Sequence, residues 1–345
     1  MFTYSMMNSD LIWTNKGIVS VGELKVGDEF RNINGDKFIL CNKKEHLNDL
    51  HKIVTSEGYR LYGSGCMPLK VFSNKKNWKD GTIIYRNLDK MRLRDKIYID
   101  LDNDLFNEKP SISGDMTILI GSLLADGTFG CRVNGRGYAT WYFNKSSNLI
   151  NIYYNSFKRE FQCKPQLASY PSRSDTTLRT DKQLVIKELL NVGLKPGPVY
   201  VKEIPEIIFK QPRENIILFL ASFFDGDGHI QKSNGIVSCF SVNPQLINQI
   251  QQLLLSLGIR SRIRSQKGST GRIKGLDGYR IVLSKAESFK FNSSIKLKAS
   301  EKSFNQFNFM NKHIGNSFYQ LPYITVSEVC IIEKQECSKL YLKPI

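Results

Sequence analysis

Two aspartates in this 345-residue chain stand at matching places. Asp126 closes the run LIGSLLADG at 119–127, and Asp227 closes LASFFDGDG at 220–228, about a hundred residues later. Each ends an apolar stretch of helical character and is followed by glycine. A carboxylate at the C-terminal end of a helix faces the negative end of the macrodipole, which costs a few tenths to ~1 kcal/mol. A single Asp-Gly of this kind is adequately explained as a turn or a helix C-cap. The same unfavourable arrangement twice is not, because two such ends brought together also repel, and a bound cation turns that repulsion into attraction. Oxygen ligands without His or Cys suit Mg²⁺, which keeps several waters and binds through one or two carboxylates plus a substrate phosphate. Two carboxylates with bound metal are the usual equipment for in-line displacement at phosphorus. Lys202 and Lys302 follow the two aspartates at nearly equal offsets, and lysines so placed would orient water or offset the charge of the transition state.

The elements that must position these groups repeat as well. The runs ILIGSLLA and IILFLASFF have almost no polar face, so each helix belongs at a centre, buried nearly all round. Small residues four apart, Gly121 with Ala125 and Ser222 with Gly226, mark a seam where another backbone can approach closely. Asn134-Gly135 and Asn234-Gly235, each inside a strand-like run, read as type I′ hairpins. Amphipathic helices follow, SSNLINIYYNSFKREF in the first copy and NPQLINQIQQLLLSLG in the second. The segment Lys202-Glu203-Ile204-Pro205 closes the first copy. A duplicated α+β unit of this size can form half a domain, and two halves imply a pseudo-two-fold that brings the acidic ends together.

Composition bounds the partner. The 49 Lys+Arg against 32 Asp+Glu leave a net charge of +17, which makes nucleic acid the leading partner. Seven cysteines form no CxxC pair and the four histidines are scattered, so neither a zinc knuckle nor a disulfide frame is expected, and a reducing, intracellular setting fits. The opening MFTYSMMNSDL has no basic region followed by an apolar run, and no stretch approaches membrane-span length, so neither secretion nor membrane insertion is expected. No GxGxxG or Walker-type sequence and no locally supported Ser-His-Asp arrangement points to a small-molecule enzyme.

The paired nonapeptides resemble the two motifs of single-chain LAGLIDADG homing endonucleases of the intein-derived type, and KEIPEIIFKQPRENIILFLASFFDGDG resembles the segment before their second motif. The resemblance covers about 115–310. It implies that Asp126 and Asp227 bind metal together with the backbone carbonyls of Ala125 and Gly226, that Lys202 is the first active-site lysine, and that Lys302 is the second, with Lys298 its competitor. Leu124 stands where the consensus has a further acid, which Asp225 retains. The implied metal is Mg²⁺, with Mn²⁺ able to substitute. The implied activity is hydrolysis of both strands of a long, specific duplex site to give a staggered break, by a monomer. The alternative is a non-cleaving nucleic-acid binder or intron maturase on the same scaffold, distinguished by a lost acid in either motif; neither acid is lost.

The implied fold is a pseudo-two-fold pair of αββαββα repeats, about 113–211 and 212–316 within an α+β domain of 113–316, whose strands form a curved DNA-binding β-saddle in the major groove, where all base pairs are distinguishable. Arg132, Arg136, Arg173, Arg179, Lys232, Arg262, Arg264, Lys267, Arg272, Lys274 and Arg280 are the expected contacts, some to phosphate alone. The flanks, 1–112 and 317–345, are expected to meet as one mostly-β, Hint-like domain. TNKGIVSVGELKVGDEF at 14–30 and GYRLYGSGCMPLKVF at 58–72 resemble the opening and second blocks of intein splicing domains, and 323–345 resembles a late strand pair. Met1 lacks the nucleophile such domains need, Met67 stands where their activating His would fall, and the end Lys-Pro-Ile lacks their His-Asn, so splicing is not expected. Lys43, Lys44, Lys70, Lys75, Lys76 and Lys79 of this flank would suit added DNA contact.

Overall fold

The computed structural model describes residues 2–8, 10–32, 36–72, 82–99, 109–131, 137–168, 175–267, 276–313 and 323–344. They divide into two compact units: Met1–Asn107 with Ser256–Gly258 and Gln320–Ile345, and Glu108–Leu255 with Ile259–Tyr319. No helix among the described residues is long and apolar enough to cross a membrane.

The first unit is built on strands β1 (Phe2–Met7), β2 (Leu11–Thr14), β3 (Gly17–Ser20), β4 (Glu29–Arg31), β5 (Lys37–Thr55), β6 (Arg60–Gly63), β7 (Pro68–Phe72), β8 (Ile83–Asn87) and β9 (Lys96–Tyr98). They share a sheet with β18 (Tyr323–Pro344), in the order β3-β2-β4-β5-β18-β9-β7-β8, with β1 on β18 and β6 on β5. Strand β18 pairs antiparallel with β5 from Val326↔Thr55 to Pro344↔Phe38. The expected strand pair at 323–345 is instead one 22-residue strand. Register shifts between Val326/Glu328, Ile332/Gln335 and Tyr341/Leu342 absorb the irregularities that a turn would have taken. Alternation sorts its faces: Leu340 and Leu342 join Ile12, Val21, Phe30 and Leu40 in the core, while Lys339 and Lys343 are exposed. Lys70 is ion-paired with Asp36 and Lys43 donates to the Gly22 carbonyl, whereas Lys75, Lys76 and Lys79 lie outside the described residues.

The second unit repeats one order of elements. In the first copy these are α1 (Gly114–Asp126), β10 (Gly127–Cys131), β11 (Tyr138–Asn144), α2 (Ser147–Phe161), β12 (Gln166–Ala168), β13 (Thr176–Thr180) and α3 (Gln183–Asn191). After the short α4 (Glu206–Phe209) come α5 (Arg213–Asp227), β14 (Gly228–Ile230), β15 (Val237–Ser241), α6 (Pro244–Ser256), β16 (Arg262–Gln266), β17 (Gly278–Val282) and α7 (Lys285–Ser294), followed by α8 (Ser300–Lys312). Each copy is therefore αββαββα, and each contributes an antiparallel sheet of the same topology, β10-β11-β13-β12 and β14-β15-β17-β16.

Helices α1 and α5 are buried on nearly every side, as their apolar sequences require. Their small residues meet across the seam. A Cβ on Gly121 would stand 2.8 Å from the Phe219 carbonyl oxygen and 3.0 Å from the Ser222 Cβ. The glycines after the aspartates are not left-handed C-caps, since Gly127 and Gly228 have φ of −112° and −75°. They are required for space: the chain passes straight from helix into strand, and a Cβ would lie 2.6 Å from Leu123 Cα at Gly127 and 2.4 Å from the Phe224 carbonyl at Gly228.

The turn between β14 and β15 differs from the type I′ expectation. The Gln231 N–H donates to the Ile236 carbonyl across a four-residue loop, and of the two residues Asn234 and Gly235 only Gly235 has positive φ (+67°). Asn234 instead accepts from the Ile236 N–H through its side chain, which favours an ordinary backbone at 234. Asn134-Gly135 lies outside the described residues.

Candidate active site

Packing α1 against α5 through small residues brings their last turns together. A Cβ on Gly226 would lie 2.6 Å from Ala125 Cβ and 2.7 Å from Asp126 Oδ2, so the Asp126 carboxylate sits over the end of the opposite helix. Asp126 accepts a hydrogen bond from Asn144 Nδ2 at 2.8 Å. Asn144 occupies the last position of β11, and its residue type and spacing alone do not set it apart in the sequence. The available signal was its Asn-x-Ser context at the start of α2, where its Oδ1 accepts from the Ser146 N–H.

Each lysine closes the helix of its own copy. Lys202 Nζ donates to the carbonyls of Leu123, Leu124 and Gly127 at 3.2, 2.8 and 2.8 Å. Lys302 Nζ donates to those of Phe224, Asp225 and Gly226 at 2.9, 2.5 and 2.8 Å. The last carbonyls of a helix lack intrahelical donors and carry the negative end of the dipole, so a half-buried ammonium satisfies both needs at once. Lys298 is placed differently. Its side chain is exposed, while its backbone N–H, with that of Ala299, donates to the buried Asp225 carboxylate at 2.8–3.0 Å. Asp225 thus anchors the segment leading into α8, from which Lys302 reaches back; Leu124 has no such carboxylate to offer in the first copy.

The charges are confined. Burial pushes the Asp126 carboxyl up, against Lys302, Asn144 and Lys202, which pull it down. Burial and then the charge of Asp126 push Asp227 up to about 7. The two carboxylates share one repulsion, so the upward displacement belongs to the pair. Burial lowers both lysines, and the aspartates oppose that. Among the described residues no group of three or more His, Cys, Asp or Glu could hold a metal ion. The donor set on offer at the helix ends is the carboxylate pair with neighbouring backbone oxygens, a hard-oxygen set whose mutual repulsion a divalent cation would relieve. Of the two expected carbonyl ligands, that of Gly226 already accepts from Lys302, which leaves it one lone pair.

The sheets carry several of the expected nucleic-acid contacts. Arg179 on β13 lies across from Trp141 and over its ring at 5.7 Å, and Arg280 on β17 lies across from Phe240 and over its ring at 5.9 Å. Arg280 is also directly opposite Arg264, with Arg262 two residues along the same strand. Like charges directly opposite destabilise a sheet, and a polyanion would relieve them. Ile263 and Ile281, which alternate with these arginines, face inward, Ile281 being fully buried. Lys232 sits exposed in the β14–β15 turn and Lys267 exposed at the end of β16. Arg132, Arg136, Arg173, Arg272 and Lys274 lie outside the described residues.

Residues 214–296 match the family model described as a LAGLIDADG-like domain, a span that runs from α5 to two residues past α7. The second repeat carries a LAGLIDADG-like domain. Sequence relatives include the DNA polymerase II large subunit of Thermococcus kodakarensis, 38% identical over 78 residues, which are 22% of this chain and 4% of that protein. The replicative DNA helicase DnaB of a Synechocystis strain is 26% identical over 216 residues, 58% of this chain and 23% of the helicase. The chain thus spans only a small part of the length of these curated relatives. Among solved structures, mesophilic variants of the homing endonuclease I-DmoI align with a TM-score of 0.42 at 18% identity, over 53% of this chain and 90% of theirs.

Proposed function

We propose that this protein is a site-specific DNA endonuclease of the homing type, which hydrolyses both strands of a long duplex site to leave a staggered break and does not splice. The observation that carries the reading is the convergence of Asp126 and Asp227 at equivalent ends of two packed helices, each end closed by its own half-buried lysine. Asp126 and Asp227, with the Ala125 and Gly226 carbonyls, would hold Mg²⁺ or, in its place, Mn²⁺. The metal would supply an activated water and stabilise the leaving 3′ oxygen.

The chain's own residues do the remainder. The Asn144 amide fixes the Asp126 carboxylate, and Lys202 and Lys302 hold positive charge beside it, where phosphate charge must be accommodated. Arg179, Arg262, Arg264 and Arg280 would bind duplex on the sheet faces, with Lys232 and Lys267 at their margins. One chain holds both aspartates, so a monomer completes the site. The Hint-like reading of the first unit rests on the blocks at 14–30, 58–72 and 323–345, and their assembly into one sheet supports it.

The test is incubation with a genomic or randomised DNA library in Mg²⁺, beside Asp126→Asn and an EDTA control, with sequencing of the ends. Discrete metal-dependent staggered ends absent from the mutant are expected. Selective retention of DNA or structured RNA with no ends above the mutant would overturn cleavage in favour of binding alone.

A further inference from the structure

The two lysines reach their helix ends from segments that the opposite repeat braces. Asn243, 2% exposed, immediately precedes α6 in the second repeat. Its Oδ1 accepts from the N–H groups of Gln245 and Leu246 at 2.9 and 3.2 Å, which caps α6. Its amide NH₂ points the other way, donating to the carbonyls of Val199 and Lys202 at 3.3 and 2.6 Å. Further along α6, Gln249 Oε1 accepts from the Ile204 N–H at 2.8 Å. The second repeat therefore grips the backbone on both sides of Lys202. In the reverse direction Asn148 of α2 donates to the Lys298 carbonyl at 2.7 Å, but there the Asp225 carboxylate already holds the segment.

Helix capping explains only half of Asn243. Ser or Asp caps a helix as well as Asn does, but an ionised Asp has no donor and the single Ser hydroxyl proton cannot serve two carbonyls. The second half has a recipient whose position matters: Lys202 Nζ makes three contacts of 2.8–3.2 Å, and a backbone shift of about 1 Å would break them.

We propose that Asn243 is a positioning residue through which the second repeat sets the place of the Lys202 amine at the end of α1. One half of the site then depends on a helix of the other half. The placement stands on geometry alone; its consequence for strand cutting rests on the nuclease reading.

The test uses the full chain with Asn243→Asp, which keeps the capping oxygen and replaces the donor, and Asn243→Ser as a second variant. Lysine acylation, read by mass spectrometry on DNA-free protein, is expected to rise about tenfold at Lys202, with Lys302 within about twofold. No change at Lys202 in a folded variant overturns the proposal, as does an equal rise at both lysines, which would mean general loosening. If neither variant folds, Asn243 is a folding residue and the proposal falls. On a cleaved DNA site, Asn243→Asp is expected to reproduce the strand pattern of cleavage that Lys202→Met gives and not that of Lys302→Met; a pattern unlike that of Lys202→Met overturns it. A wild-type chain that cuts no DNA sinks the nuclease reading, and the acylation result still decides this one.

Discussion

Gly226 and Ala125 touch so closely that a Cβ on the glycine would lie 2.6 Å from the alanine Cβ, so α1 and α5 are in near-backbone contact one residue before their aspartates. Gly226→Ala should part the helix ends, because both partners are on rigid helices and Asp126 Oδ2 lies 2.7 Å from the same added atom. A loss of about 1–3 kcal/mol is expected from such overpacking. Thermal melting checks it: a variant melting within about 1 °C of the parent would show that the seam yields freely.

Asp126→Asn and Asp227→Asn should each abolish double-strand cleavage while leaving DNA affinity within about threefold, since amides keep the shape and remove the charge that holds a cation. Cleavage at the parental rate by either variant would refute the metal assignment.

Asp227 makes the metal-free protein sensitive to pH. Its folded value of about 7 lies above the unfolded value near ~3.9, so between the two the folded chain binds the extra proton. Stability is therefore lost as pH rises through that window and levels off above it. In EDTA, Asp227→Asn should melt above the parent at about pH 8, with the gap closing toward about pH 4. The reverse order would mean that the carboxylate is not confined as described.

Arg264 and Arg280 face each other across β16 and β17, which gives their removal opposite signs in two assays. Replacing both by Gln should stabilise the free protein by up to ~1 kcal/mol, by removing a like-charge pair. The same change should weaken DNA binding and flatten the slope of log K against log salt by about two, as expected for two lost phosphate contacts. An unchanged slope would mean that neither arginine touches phosphate.

The seam and the site were legible where a physical requirement leaves a residue type behind. Close approach demands Gly121, Ala125, Ser222 and Gly226, and the meeting of two acidic helix ends shows in the doubled Asp-Gly. What depended on direction was not legible. Lys302 has the better spacing, but Lys298 competes with it in sequence, and only the path into α8, anchored by Asp225, turns Lys302 toward α5 and leaves Lys298 exposed. Asn144 and Asn243 read as ordinary polar residues before helices, because their second hydrogen bonds cross distances that sequence does not display. The Asn234-Gly235 hairpin kept its place and lost its type, since Gly235 must leave room for Phe309, 2.0 Å from where a Cβ would stand, and Asn234 found a partner for its side chain.

The pairing of β18 with β5 has a consequence for biosynthesis. Residues 37–55 leave the ribosome long before 323–344, yet the sheet of the first unit places β18 between β5 and β9. The second unit lies almost wholly in the interval and its contacts can close as it emerges. The sheet of the first unit is thus completed only after the intervening chain is made, and until then β5 waits with an open strand edge, where its exposed Lys44 and Asp49 disfavour pairing with a stray chain.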